Sequence, residues 1–549
     1  MNAEIDKIDK GKRITTPIPS KPFPKVIESD VCFFYFACKK YITTGATVHP
    51  KLNLGKPFEN LFELDDSGVP VFKIFSGGRW FFPKGCNTID VRSPIDNSVI
   101  ARIPTVDEKW ADAVVESAYS SKNAMRKVPA IERIRIMQDA ARLLKQYSEV
   151  LVTNLVIESG KTLRDAAREV DSTRHRLMLV SEEARKIFGD YLPGDWAEEN
   201  VGKYALVIRE PVGLVLAIAP FNYPLFISYT KVIPALLAGN AVVLKPPSAD
   251  PVSTLMMARL LELAGTPKGS LSVITGRGPI GSYIAKNPHI NMVTFTGSTA
   301  TGKALTETSG IKKIHLELGG KASAIVLSDA ELQFAAEKIL EGSLKNAGQR
   351  CDAISRVFVQ REVYNKIVGY LKHGIKKWKL GDPRRASTYI GPLIDEAASN
   401  HASELVEDAV RKGANLLYGG KAHRNYFEPT LLTDVPLNAR IMWEETFAPI
   451  IPVHAVRSLK EALVISNRSK YGLDSAVFTT DINSAWNAAK KLETGSVTIN
   501  DVPSHGVGFF PFGGVKESGL GREGIGYSIE EFTNTKTIVF KTNTVKMLE

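Results

Sequence analysis

Hydrophobic positions along this chain follow two different periods, and the switch between them sets out its organisation. From residue 105 the period is helical: Thr105 and Glu108 spell a T-x-x-E capping box ahead of Trp110, Val114 and Ala118, which share one face. A second stripe follows at Ile134, Met137, Ala141 and Leu144. Both predict packing faces and no chemistry. The pattern then alternates. Residues 213–219, 241–244, 271–275 and 292–296 are short β-rich runs separated by helical segments at 225–238 and 252–264. Such alternation predicts βαβ units and a parallel, doubly wound sheet of the Rossmann type. After Gly319 it restarts, with strands expected near 322–327, 356–359, 476–479 and 496–500 and helices near 332–344, 363–378 and 396–412.

The fold class is therefore α/β, with a dinucleotide-binding domain expected over 66–190 and 211–318 and a second α/β domain over 319–498. β-rich segments at 201–210 and 535–541 fit neither sheet, and exposed strand edges are usually paired or covered, so 191–210 and 499–549 are assigned to an oligomerisation arm. Residues 1–65, Lys- and Pro-rich with weak periodicity, read as an N-terminal extension.

Composition narrows the function classes. At 549 residues the chain exceeds what one core organises, and 44% apolar with 23% charged residues is the balance of a folded globular protein. The nearest approach to a membrane span, 31–37, soon meets Lys39 and Lys40, and about thirty mostly polar residues precede it. Neither a membrane partner nor secretion is expected. Cys32, Cys38, Cys86 and Cys351 lack disulfide or metal-ligand spacing, so the expected setting is a reducing cytoplasm with no metal site. The net charge of +11 is scattered without a basic–aromatic run, so a solvated surface is the default and no nucleic-acid partner is expected.

Several residues could carry chemistry, each with a plainer alternative. Gly276-x-Gly278-x-x-Gly281 has the dinucleotide spelling but no acidic residue about twenty positions later, so a tight strand-to-helix turn explains it as well as a phosphate contact. Ser298, in Phe295-Thr296-Gly297-Ser298-Thr299, stands where a strand gives way to a helix, as an anion ligand or an ordinary cap. Cys351 follows Arg350, whose charge would favour a thiolate, although a lone cysteine is more often a small buried hydrophobe. Glu317, in His315-Leu316-Glu317-Leu318-Gly319-Gly320, is flanked by apolar neighbours that would raise its pKa toward that of a general base; a hydrogen-bonded structural carboxylate is the alternative. Asn222, in Pro220-Phe221-Asn222-Tyr223-Pro224, could donate to an oxyanion or serve the turn. All three chemical candidates are expected after strand ends, where α/β folds collect their sites.

Taken in order, PFNYP, LKPP, FTGST, LELGGK, GQRC, EETFAP and PFGGVKESG strongly resemble the aldehyde dehydrogenase superfamily over roughly residues 72–540. GQRCDAISRV, GDYLPGDW and FFPFGG…GREGIGYSIE are similar to the non-phosphorylating glyceraldehyde-3-phosphate dehydrogenases, particularly their archaeal-type branch. The resemblance implies that Cys351 attacks the aldehyde, that Asn222 and the Cys351 N–H hold the oxyanion, and that Glu317 activates the water that hydrolyses the thioester. It also implies cofactor contacts at Lys245, Ser248, Gly281, Ser298, Glu445 and Phe447, with Phe221 where many members have tryptophan. Ser248 replaces a glutamate common in NAD-preferring members and leaves a donor beside Lys245, so NADP is expected as the preferred cofactor, with NAD possible. Arg350 and Tyr223 match positions that can reach a substrate phosphate; His505 stands near a usual arginine. The implied partners are a small phosphorylated aldehyde and further copies of the chain, as a homodimer or homotetramer. Two other functions compete: a dehydrogenase of another small aldehyde such as succinic semialdehyde, and a silent scaffold or basic nucleic-acid-binding protein that keeps the fold.

Overall fold

The computed structural model describes residues 49–504 and 508–541. Its first large sheet has eight strands, in the order Gly519–Leu520, Lys313–Glu317, Met292–Thr296, Leu214–Ile218, Ala241–Lys245, Leu271–Val273, Ile74–Ser76 and Arg79–Phe81. The five from Lys313–Glu317 to Leu271–Val273 are parallel. They run as near-continuous apolar segments because both faces are covered. Successive residues leave in opposite directions: Leu214 and Leu216 enter one core, Val215 and Ala217 the other. Each such side chain, withdrawn fully from water, contributes about 1.5–3 kcal/mol before conformational entropy is subtracted.

The chain winds outward from Leu214–Ile218 through Ala241–Lys245 to Leu271–Val273, then returns to lay Met292–Thr296 on the opposite side of the first strand. The crevice where strand order reverses is therefore at the carboxyl ends of Leu214–Ile218 and Met292–Thr296, the usual place for a ligand in such sheets.

Four residues, 318–321, separate Lys313–Glu317 from Ala322–Val326. That strand belongs to a seven-stranded sheet ordered Asn415–Tyr418, Thr430–Thr433, Ile450–Val456, Ile354–Gln360, Ala322–Val326, Asp474–Phe478 and Ser496–Ile499. The short link sets the carboxyl edge of the first sheet against the amino edge of the second. This corrects one expectation: Asn222 and Glu317 follow strands, but Cys351 precedes Ile354–Gln360, and Glu445 and Phe447 precede Ile450–Val456.

Other departures are local. A four-stranded sheet of Phe62–Leu64, Pro70–Phe72, Val99–Pro104 and Thr88–Arg92 was not foreseen, its strands being short and partly exposed. The helix after residue 105 runs Glu108–Ser120, and its cap is Asp107, which accepts from the Trp110 N–H. Thr105 does not cap it, because its own N–H is still bonded to the carbonyl of Asn87 and the chain turns two residues later. Of the stretch 499–549 assigned to the arm, Gly519–Leu520 closes the edge of the first sheet, whereas Thr533–Lys541 pairs antiparallel with Lys203–Pro211, which also pairs with Asp190–Pro193. Among the described residues no helix is long and apolar enough to cross a membrane.

Candidate active site

Cys351 is placed by an unusual backbone. The helix Leu332–Leu344 ends, and Asn346, Ala347 and Gly348 follow with φ of +53°, +54° and +71°. Two non-glycine residues in the left-handed region cost on the order of 1–2 kcal/mol each, so the surroundings must hold them there. They do: the Asn346 amide donates to the carbonyls of Asn222 and Gln349, both at 3.2 Å. The Asn222 amide in turn donates to the Gln349 carbonyl at 3.2 Å. Asn222 and the segment leading to Cys351 are thus tied directly, although 129 residues apart in sequence (351 − 222).

Gly320 abuts Cys351 from the interdomain link. A Cβ there would collide with the Cys351 carbonyl oxygen, so only glycine permits the approach. The Gly320 N–H donates to Oε1 of Glu445 at 3.1 Å. Phe447, itself at φ +47°, lies edge-on to Phe221 with ring centroids 5.9 Å apart. Asn222, Cys351, Glu445, Phe221 and Phe447 therefore share one cleft between the two sheets.

Glu317 is 2% exposed, and neither carboxyl oxygen has a hydrogen-bond partner. Burial, reinforced by the nearby Glu523 charge, raises its pKa well above the carboxylate range. The hydrogen-bonded structural alternative is thereby lost. Cys351 is half-buried, and its thiol is pushed well up, first by burial and then by Asp352, Asp474, Glu317 and Glu445. Arg350 does couple electrostatically to Cys351, but burial and these four carboxylates outweigh it. Arg350 forks onto Asp352, Nε to Oδ1 at 2.9 Å and Nη2 to Oδ2 at 2.8 Å, and bonds the Pro503 carbonyl at 3.0 Å. Its Nη1 remains buried without a partner.

Tyr223 has the Lys161 ammonium 3.7 Å above its ring, and burial raises its hydroxyl pKa. Sequence patterns gave no sign of Lys161, nor of Lys345, a half-buried amine coupled electrostatically to Arg350, Asp165, Arg168 and Asp352. His505 lies outside the described residues.

Away from the thiol, Lys245 ends its strand 5% exposed, with only the Pro246 carbonyl at 3.5 Å, and burial lowers its pKa to about 8. Gly281 lies against its stem: a Cβ there would sit 3.3 Å from Cδ of Lys245. Ser298 caps the helix Thr299–Thr308 by accepting from the Thr301 N–H, the plainer of its two expected roles. Ser248 donates to the Gly276 carbonyl at 2.7 Å, so it is not the free donor that was expected. What it contributes is the absence of a negative charge.

Comparison with known proteins places this geometry. The profile of the Aldehyde dehydrogenase family matches residues 80–538. The NADP-dependent glyceraldehyde-3-phosphate dehydrogenase of Streptococcus equinus is 38% identical over 85% of this chain and 98% of its own. This chain belongs to the aldehyde dehydrogenase family. Another member, the NADP-dependent succinate-semialdehyde dehydrogenase of Escherichia coli, is 36% identical over 86% of this chain and 98% of its own. The crystal structure of the Bacillus halodurans NADP-dependent glyceraldehyde-3-phosphate dehydrogenase, complexed with NADP, superposes with a TM-score of 0.84 at 37% identity, covering 85% of this chain and 99% of that one. An aldehyde dehydrogenase needs a dinucleotide site, and the residues here fit one: a buried, almost unpartnered amine at Lys245, a close glycine at Gly281, a helix start capped by Ser298, an acidic side chain at Glu445 coupled to the thiol, and an aromatic one at Phe447 against Phe221.

Proposed function

We propose that this chain oxidises glyceraldehyde 3-phosphate to 3-phosphoglycerate, without inorganic phosphate, using NADP in preference to NAD. Lys245, Ser248, Gly281 and Ser298 would hold the adenosine end of the cofactor, and Glu445, Phe447 and Phe221 the nicotinamide end. Bound there, the cofactor supplies the acceptor for the aldehyde's hydride. The Cys351 sulfur adds to the carbonyl carbon, and the spare hydrogen on the Asn222 amide, with the Cys351 N–H, steadies the oxygen that becomes negative. Glu317, whose raised pKa makes it a strong base once ionised, takes a proton from water as that water's oxygen attacks the thioester.

The observation that carries the substrate assignment is a pair of neighbouring cationic groups with open donors among the described residues: Nη1 of Arg350, buried without a partner, and the amine of Lys345, coupled electrostatically to Arg350. A buried donor without an acceptor is expensive, and a phosphate would satisfy Nη1 of Arg350 while pairing with the Lys345 amine. The relatives named as glyceraldehyde-3-phosphate dehydrogenases support the same reading. A single carboxylate could also bridge those cations, which, with the Escherichia coli relative, favours succinic semialdehyde as the second reading. We take the protein to work as a homodimer or homotetramer in the reducing cytoplasm.

The test is a substrate panel with both cofactors. Two charge-assisted hydrogen bonds of about 1.5 kcal/mol or more each correspond to a kcat/KM for glyceraldehyde 3-phosphate about a hundredfold above that for glyceraldehyde. Equal values for the two, or a higher value for succinic semialdehyde, would overturn the assignment.

A further inference from the structure

Behind Glu317 lies a buried group that neither the carbonyl chemistry nor the packing requires. His315 is two residues before Glu317 on the same strand, so the two side chains leave the same face. It is 2% exposed, and neither ring nitrogen makes a hydrogen bond. A histidine serving only to fill a core would normally have a partner for its N–H. Instead Nε2 stands 3.4 Å from Oε1 of Glu317 and 3.6 Å from Oε1 of Glu523. Glu523 is held by Lys231 of the helix Pro224–Leu237 at 2.6 Å.

The other side of the ring leads outward. Gly521 lies against Nδ1 so closely that a Cβ would collide with it, and that same Cβ would be 3.4 Å from Oε1 of Glu531. Gly521 thus lies beside both the imidazole and Glu531. Glu531 and Arg522 line a cavity of about 660 Å³ with Arg209 and Lys313, the residue that begins the strand ending at Glu317. One ring thus has one nitrogen toward the proposed base and the other toward an open cavity.

We propose that His315 is a proton relay, carrying to the Glu531 cavity the proton that Glu317 takes from water at each turnover. The inference rests on the reading of Glu317 as the hydrolytic base. In the balanced step, water's oxygen bonds to the acyl carbon, the carbon–sulfur bond breaks with its electron pair remaining on Cys351, and one water proton goes to Glu317. Glu317 has no hydrogen-bond partner through which to shed it. His315 accepts that proton at Nε2 as it releases another from Nδ1 to Glu531 or cavity water; the ring then turns over, carrying the proton it took from Glu317 toward the cavity and presenting its bare nitrogen to Glu317 again. No electrons change hands in the transfer. The groups facing the ring are Glu317 on its own strand, Glu523 and Arg522 from the segment after the edge strand, Lys231 from its helix and Glu531 from the C-terminal turn. Burial, assisted by Lys231 and Arg522 and opposed by Glu523, lowers the ring pKa to about 4, so it rests neutral and carries charge only in passing.

The experiment uses the full chain with NADP and glyceraldehyde 3-phosphate, comparing wild type with His315→Ala and His315→Gln. Hydride transfer in the first turnover should keep its rate in both variants, because it precedes use of the base. Steady-state turnover should fall at least tenfold in both, with a larger solvent deuterium isotope effect. Imidazole added to His315→Ala should restore turnover through the cavity. If His315→Gln turns over like wild type, or if both phases fall together and imidazole restores neither, the histidine is structural and the relay is refuted. Should His315→Ala not fold, the glutamine variant decides alone. A wild-type protein with no first-turnover hydride transfer would overturn the proposed function itself, a result distinguishable from a normal first turnover with unaltered variants.

Discussion

At the residue scale, Lys245 shows how burial becomes a pH dependence. Its ammonium is destabilised by removal from water, so in the cofactor-free protein it loses its proton near pH 8. A cofactor 2′-phosphate favours the charged form. Below about pH 7 the amine is already protonated and contributes no further pH dependence of its own. Above pH 8 binding must take up a proton, and affinity for NADP should fall by up to about tenfold per pH unit. Calorimetry in two buffers of different ionisation enthalpy should detect that uptake at pH 9 for wild type and not for Lys245→Met. NAD should show a much weaker dependence. Asn222, Glu317 and Cys351 were legible at this scale because they stand in distinctive runs of residues. The partner of Arg350 was not: Asp352 is two positions away, and no sequence pattern reveals that the two side chains turn toward each other.

At the scale of elements, two helices beneath the cleft begin on glutamates borrowed from elsewhere. Glu169 accepts the Leu225 and Phe226 N–H groups at 2.9 and 3.0 Å, and Glu158 accepts those of Val252 and Ser253 at 2.7 and 2.8 Å. Each satisfies donors that a helix start leaves open. Glu169 also pairs with Lys161 at 2.7 Å, with side chains 0% and 2% exposed. Glu169→Gln keeps an acceptor for the helix but strands the Lys161 charge, and should cost about 3–5 kcal/mol in urea unfolding. The double variant Glu169→Gln, Lys161→Met should recover most of that loss. Sequence periodicity placed these helices to within a residue, the second expected over 252–264 and observed at Val252–Leu263. Their caps were invisible to it, because the capping residues lie 56 and 94 positions away.

At the scale of the whole molecule, the sheet of Asp190–Pro193, Lys203–Pro211 and Thr533–Lys541 carries an apolar face with nothing on it among the described residues. Register puts Tyr191, Leu206 and Ile538 in one row and Tyr204 with Phe540 in the next, the last two stacked at 5.0 Å; Tyr191 is 63% and Phe540 40% exposed. A contiguous face of this kind would suit the self-association proposed above. Leu206→Asp with Ile538→Asp should therefore weaken self-association by about a hundredfold or more in Kd, read as a shift to smaller species in light scattering, while each chain stays folded. The alternation of strands and helices foretold the parallel centre of the first sheet and four strands of the second, missing Asn415–Tyr418, Thr430–Thr433 and Ile450–Val456; nor did it foretell that the sheets would meet edge to edge, since that depends on a link too short to have any periodicity.

That link has a consequence of its own. Because 318–321 joins the proposed base to the second sheet, and Gly320 is wedged between Cys351 and Glu445, the span from sulfur to carboxylate behaves as a fixed gauge. A larger aldehyde has to be admitted by reshaping the mouth of the cleft, since widening the cleft at its root would pull nucleophile and base out of step.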